Sequence, residues 1–160
     1  MSVSPSDFFQ SAKELASNVD EISRRNSVSR AYYAAYHHMS SIIPYDGDSV
    51  NGRNAGMHRS YINQLMEANQ DSVERKAGVK LQSLHARRVK ADYRICDNLD
   101  ARMVSMQIDG VNFIFNLVPN DYSPEVPPKG KKNNESSPPS VKGSGEEAQS
   151  GSRPILRRVV

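Results

Sequence analysis

Seven of the nine prolines in this 160-residue chain lie beyond residue 118. Proline stops helices and interior strands, so this distribution confines regular structure to the first 118 residues. Pro119 to Val160 also holds seven serines and four glycines, and Tyr122 is its only aromatic residue. Such a stretch buries too little apolar surface to offset the entropy of ordering it. The sequence therefore predicts a folded domain over 1–118 and a disordered Pro/Ser/Gly-rich tail over 119–160. The tail ends in a basic-apolar segment, Arg153-Pro154-Ile155-Leu156-Arg157-Arg158-Val159-Val160. This segment reads as a solvated end, or as a short motif that orders on a partner.

Within the first 118 residues apolar side chains recur at helical spacing, and no alternating β pattern appears. Ser4-Pro5-Ser6-Asp7 starts a first helix, with Phe8, Ala12, Leu15 and Val19 in step. A second runs from about Asp20 to Ile43 and is ended by Pro44 and a polar loop. A third starts near Ala55, with Met57, Tyr61, Leu65 and Met66 on one side. A fourth carries Leu81, Leu84, Ala91, Ile95 and Leu99. A fifth covers about Asp100 to Val118. The fold class is all-α, a bundle of four or five helices.

Charge and cysteine usage narrow the setting. There are 21 basic and 18 acidic side chains, giving a net charge of +3. The folded part is nearly neutral, so a nucleic-acid partner would meet a local patch. The lone Cys96 cannot form an internal disulfide and is expected to be buried. A reducing cytoplasm fits this usage. No apolar run reaches the roughly 20 residues a membrane helix needs. His37 and His38 point about 100° apart, and no His-Glu-x-x-His pattern exists, so neither a metal nor another cofactor is expected.

Helix two is the informative one. At about 100° per residue, Val28, Ala31, Tyr32, Ala35, Met39, Ile42 and Ile43 form one stripe. Asn26, Arg30, Tyr33 and His37 fall opposite, between about 140° and 200° from Val28. A solvated face usually carries Lys and Glu pairs; these residues are those of a binding surface, or equally of an ordinary exposed face on which Tyr33 covers a hydrophobic patch. An imidazole can move a proton near neutral pH, and a guanidinium can hold a phosphate. Together they suggest RNA cleavage without a metal, with Arg30 and His37 as catalytic residues. Two-fold apposition of the stripe would double both groups, which predicts a homodimer around helix two. Asn26 and Tyr33 would line that cleft. Arg24 and Arg25, at the start of the helix, could contact the phosphate backbone, although a plain surface role is as consistent with their position. His38 reads as a packing or surface residue, His58 as structural, and His85 as a partly buried core histidine.

Ser29-Arg30-Ala31-Tyr32-Tyr33-Ala34-Ala35-Tyr36-His37 resembles the signature helix of the HEPN superfamily of all-α domains. Arg88-Val89-Lys90-Ala91-Asp92-Tyr93 looks like the second landmark of its small stand-alone members, and His58 sits where they often place a histidine. The resemblance spans roughly Ser6 to Phe115. It implies dimerisation through the Arg-His helix. For active members it also implies metal-independent endoribonuclease activity, as a toxin or phage-defence effector with a protein antitoxin partner. The six residues between Arg30 and His37 fit that spacing. Ala31 stands where active members often have a polar residue. Met39 stands where the subgroup regulated by nucleotidyltransferases has tyrosine. The alternative reading is a non-catalytic HEPN module that binds RNA, nucleotide or a protein. Arg88, Asp92 and Tyr93 would be its structural motif, with Arg88 and Asp92 paired at i,i+4.

Overall fold

The computed structural model describes residues 3–47 and 56–124. The chain divides into two units, Met1–Val126 and Pro127–Val160, and the second lies wholly outside the described residues. The tail expected from Pro119 onward is therefore described only to Pro124. Over that stretch Tyr122 packs on the bundle and its hydroxyl donates to Glu74 Oε1 at 2.6 Å.

Five helices follow in order: α1 (Pro5–Ala16), α2 (Glu21–Ile42), α3 (Met57–Glu67), α4 (Val73–Tyr93) and α5 (Ala101–Leu117). Four of them start on a side-chain cap. Ser4, Asp20, Ser72 and Asp100 each accept from a backbone N–H three residues on, and Ser4 and Asp7 complete a capping box. The fifth, α3, starts at Gly56 without such a bond.

The pairing of residues gives the topology. Ser27 Oγ donates to the Ala12 carbonyl, and Phe8 meets His37, so α1 and α2 are antiparallel. Arg25 reaches the Ala91 carbonyl while Arg88 reaches Tyr33, so α4 also runs against α2. Gln107 donates to the Val28 carbonyl and His38 meets the Val118 carbonyl, so α5 runs parallel to α2. Helix α3 lies along α4, with Gly78 against Leu65.

Helix α2 is thus enclosed on more than one side. Ser27, Ala34 and His38 are buried along with Val28, Ala31, Tyr32, Ala35 and Met39. The expected stripe is real, but a second buried face of small residues lies beside it. Small side chains let neighbouring backbones come close there. His38 is one of these packing residues. Its ring lies 4.3 Å from Phe115, and its Nε2 is 2.6 Å from the Val118 carbonyl oxygen.

Other sequence expectations are corrected at helix ends. Helix α1 stops at Ala16, leaving Val19 85% exposed. Helix α4 stops at Tyr93, so Ile95 is exposed, and Cys96 is exposed rather than buried. Met57, at the open first turn of α3, also faces solvent. Leu99 is fully buried, but in the α4–α5 connection, where it packs with Val28, Ala91 and Val104.

Gly78 marks a close contact between α3 and α4. A Cβ there would stand 2.8 Å from Leu65 Cβ and 3.2 Å from the Leu65 backbone carbon. Neither atom is the far end of a flexible chain. Gly78→Ala should therefore destabilise the domain by about 1–3 kcal/mol despite the better helix propensity of alanine. Urea denaturation measures this; an unchanged or raised midpoint would contradict the close approach of α3 to α4.

Candidate functional site on helix α2

The residues expected to form one stripe divide between two surroundings. Asn26, Arg30 and His37 are exposed. Arg30 and Asn26 line a polar groove of about 560 Å³ with Ser11, Glu14, Leu15 and Asn18 of the α1 side. His37 lines a second groove of about 370 Å³ beside Pro5, Phe8, Ser40 and Ser41. Phe8 stands between the two catalytic candidates. The Arg30 guanidinium lies 5.9 Å from its ring centre, and the His37 ring lies 5.6 Å away. Both side chains thus share one aromatic neighbour, although each opens into its own groove.

Tyr33, expected to line the cleft opposite the core stripe, packs against the core of its own bundle. It is half-buried, and its hydroxyl accepts from Arg88 at 2.9 Å. Helix α4 covers this flank of α2. Arg88 also stands over the Tyr33 ring at 5.4 Å. As the sequence suggests, Arg88 pairs with Asp92, with Nε 2.7 Å from Oδ2. Asp92 also accepts from Ser29 Oγ at 3.2 Å, which ties the pair to α2. Burial opposes the Arg88 charge, but Asp92 and Tyr33 favour it, and its affinity for the proton ends above the ordinary value. Tyr93 is 68% exposed and covers Arg88 from outside at 5.2 Å.

Arg25, expected beside the cleft, has its guanidinium committed inside the bundle. It is 7% exposed and donates to the carbonyls of Ala91, Arg94, Ile95 and Asp97 at 2.6–3.3 Å. Glu21 Oε1 pairs with it at 2.6 Å. These bonds satisfy carbonyls at the C-terminal end of α4, which have no helical partner. Arg24 is half-buried, and its charge helps hold the Asp20 carboxyl below the usual range, after the larger effect of hydrogen bonds from Ser23. Arg25→Met should cost about 3 kcal/mol or more, because charged bonds are lost and the buried Ala91 carbonyl is left without its donor. Arg24→Met should change stability little by the same chemical denaturation. Equal effects would remove the capping role.

Sequence reasoning missed how three helices meet around Tyr32. This ring is fully buried, and its hydroxyl lies 3.0 Å from His58 Nδ1. The Tyr32 ring also packs on His85 at 5.3 Å. His58 and His85 lie nearly parallel, 6.1 Å apart. Tyr36 packs on His58 at 4.4 Å and on His37 at 5.4 Å, so one half-buried ring joins this cluster to the exposed His37. No spacing rule could show it, since His58 and His85 come from different helices. The signal available was His58 itself, a histidine in the first turn of a helix that starts without a side-chain cap bond.

Burial lowers the proton affinity of His58, and neighbouring His85, Arg88 and His37 lower it further. Burial does the same to His85, helped by Arg88 and Arg59. Burial also raises Tyr32, so its phenol keeps its proton.

Among the described residues no group of three or more His, Cys, Asp or Glu side chains could hold a metal ion. No helix among them is long and apolar enough to cross a membrane. Comparison of the chain with protein-family models, curated proteins and solved structures gave no match.

The two depressed histidines set a sign for pH dependence. Unfolded histidines take up protons near pH 6.5, whereas the folded ones resist down to lower pH. Their contribution is complete above about pH 6.5 and is lost as pH falls through the folded values. The groups facing them are Arg59 from α3, Arg88 from α4, itself paired with Asp92, and Tyr32, Tyr33, Tyr36 and His37 from α2. Melting temperature should be flat above pH 7 and fall below about pH 6.5. His58→Gln should flatten that fall; an unaltered acid limb would show that His58 does not resist protonation.

Proposed function

We propose that the chain is a metal-independent endoribonuclease of the HEPN type, acting at the exposed face of α2. The observation that carries the reading is the placement of Arg30 and His37 on either side of Phe8, both open to solvent. An RNA strand laid along this face would meet a guanidinium for a phosphate, an imidazole for a proton, and an aromatic ring for a base. His37 would take the 2′-hydroxyl proton. The 2′-oxygen would then attack phosphorus, Arg30 would offset charge on the phosphoryl oxygens, and the 5′-oxygen would leave with a proton. A second His37, brought by a two-fold copy of α2, would donate that proton. RNA and a second copy of the chain are the partners in this reading, which suits a cytoplasmic toxin or defence effector held by a protein antitoxin.

A second reading rests on a specific feature. Arg30 and His37 open into separate grooves, the second lined by Phe8, an arrangement that also suits a module that binds RNA, nucleotide or a protein without cleaving it. Purified protein incubated with RNA in EDTA separates the two. Cleavage is expected, and His37→Ala should reduce it by about 100-fold or more while helical circular dichroism persists. Cleavage unaffected by His37→Ala would remove the mechanism. RNA binding without any cleavage would favour the second reading.

A further inference from the structure

The cluster around Tyr32 holds a further candidate donor beside the exposed stripe. Tyr32 is fully buried, and a buried phenol proton needs an acceptor. His58 Nδ1 stands 3.0 Å from the hydroxyl. If Tyr32 donates there, the imidazole carries its proton on Nε2. His58 is half-buried, in the first turn of α3. His85 stacks beside it at 6.1 Å and Tyr36 packs on it at 4.4 Å. Two cations, Arg59 and Arg88, act on this pair of histidines. Arg88 is paired with Asp92, and burial favours the uncharged form of both imidazoles. That combination suits an anionic oxygen approaching a neutral N–H donor.

We propose that His58, locked by Tyr32 in its Nε2–H form, is a binding residue that donates to a phosphate oxygen of an RNA strand. Tyr36, which touches both His58 and His37, makes this donor continuous with the exposed α2 face. His58 would therefore hold a phosphate, while proton transfer remains with His37. Tyr32 and His85 are positioning residues. The first fixes the tautomer, and the second supports the ring without adding a charge next to it. This inference rests on RNA as the ligand of that face.

The test uses the full chain and a fluorescent 2′-O-methyl oligoribonucleotide, which binds but has no 2′-hydroxyl to react. His58→Ala should weaken binding at least about tenfold. His58→Gln, whose side-chain amide can place an N–H near the Nε2 position, should retain most of the affinity. Nitrogen-15 NMR of the wild type should show His58 as the Nε2–H tautomer at neutral pH, and Tyr32→Phe should raise its pKa. Undiminished binding by His58→Ala overturns the inference even if the wild type cleaves RNA. An Nδ1–H tautomer overturns it independently of any folding defect. His58-dependent binding by a wild type that cuts no RNA would uphold the inference and remove the nuclease reading, so the two failures are distinguishable.

Discussion

The buried guanidinium of Arg25 is the tie on which the arrangement of α2 and α4 depends. It joins the first turns of α2 to four carbonyls at and beyond the end of α4. A charge this buried persists only because Glu21 and those carbonyls surround it. With that end pinned, the antiparallel register follows along both helices. Ser29 comes to Asp92, Tyr33 to Arg88, and Tyr32 to His85. A shift of one helical turn, about 5.4 Å, would separate every one of these pairs.

A second buried polar link keeps α5 in the same frame. Gln107 is fully buried and donates to the carbonyls of Val28 and Leu84, both at 3.2 Å. An amide in the core is tolerated when its donors are used, and here they bridge three helices. Gly110 lets Leu84 approach closely nearby; a Cβ added at Gly110 would stand 2.7 Å from Leu84 Cδ2. Thus α2 packs through small or polar residues on one side and through Tyr32 on another. This explains why its apolar pattern is weak although it is the most enclosed helix.

The helices are legible in the sequence where local chemistry decides them. Ser4-Pro5-Ser6-Asp7 declares the start of α1, and Pro44 the end of α2. The end of α4 is not legible. Ile95 continues the apolar rhythm of Leu81, Leu84 and Ala91, yet the helix ends at Tyr93, where Arg25 from another helix takes the free carbonyls. The helical angles do contain a clue. Arg25 lies about 60° from Val28, at the edge of the core stripe, not among the residues opposite. Tyr33 escapes the angular reading for a related reason. An angle within one helix says which residues share a face, but not whether a third helix covers that face.

The candidate site divides along the same line. Asn26, Arg30 and His37 can be found from one helix because they need only one helix to align them. His58 gains its place through Tyr32 and Tyr36, across a helix pair that no sequence period connects. The chemistry differs accordingly. His37 sits in the open, where an imidazole can exchange protons with solvent. His58 is half-buried and packed against three tyrosine rings, and burial first, then nearby charges, favour its neutral form. In the proposed site the two histidines joined by one tyrosine ring would divide the tasks, one moving a proton and the other holding an oxygen. Burial makes that difference, and the register set by Arg25 produces the burial.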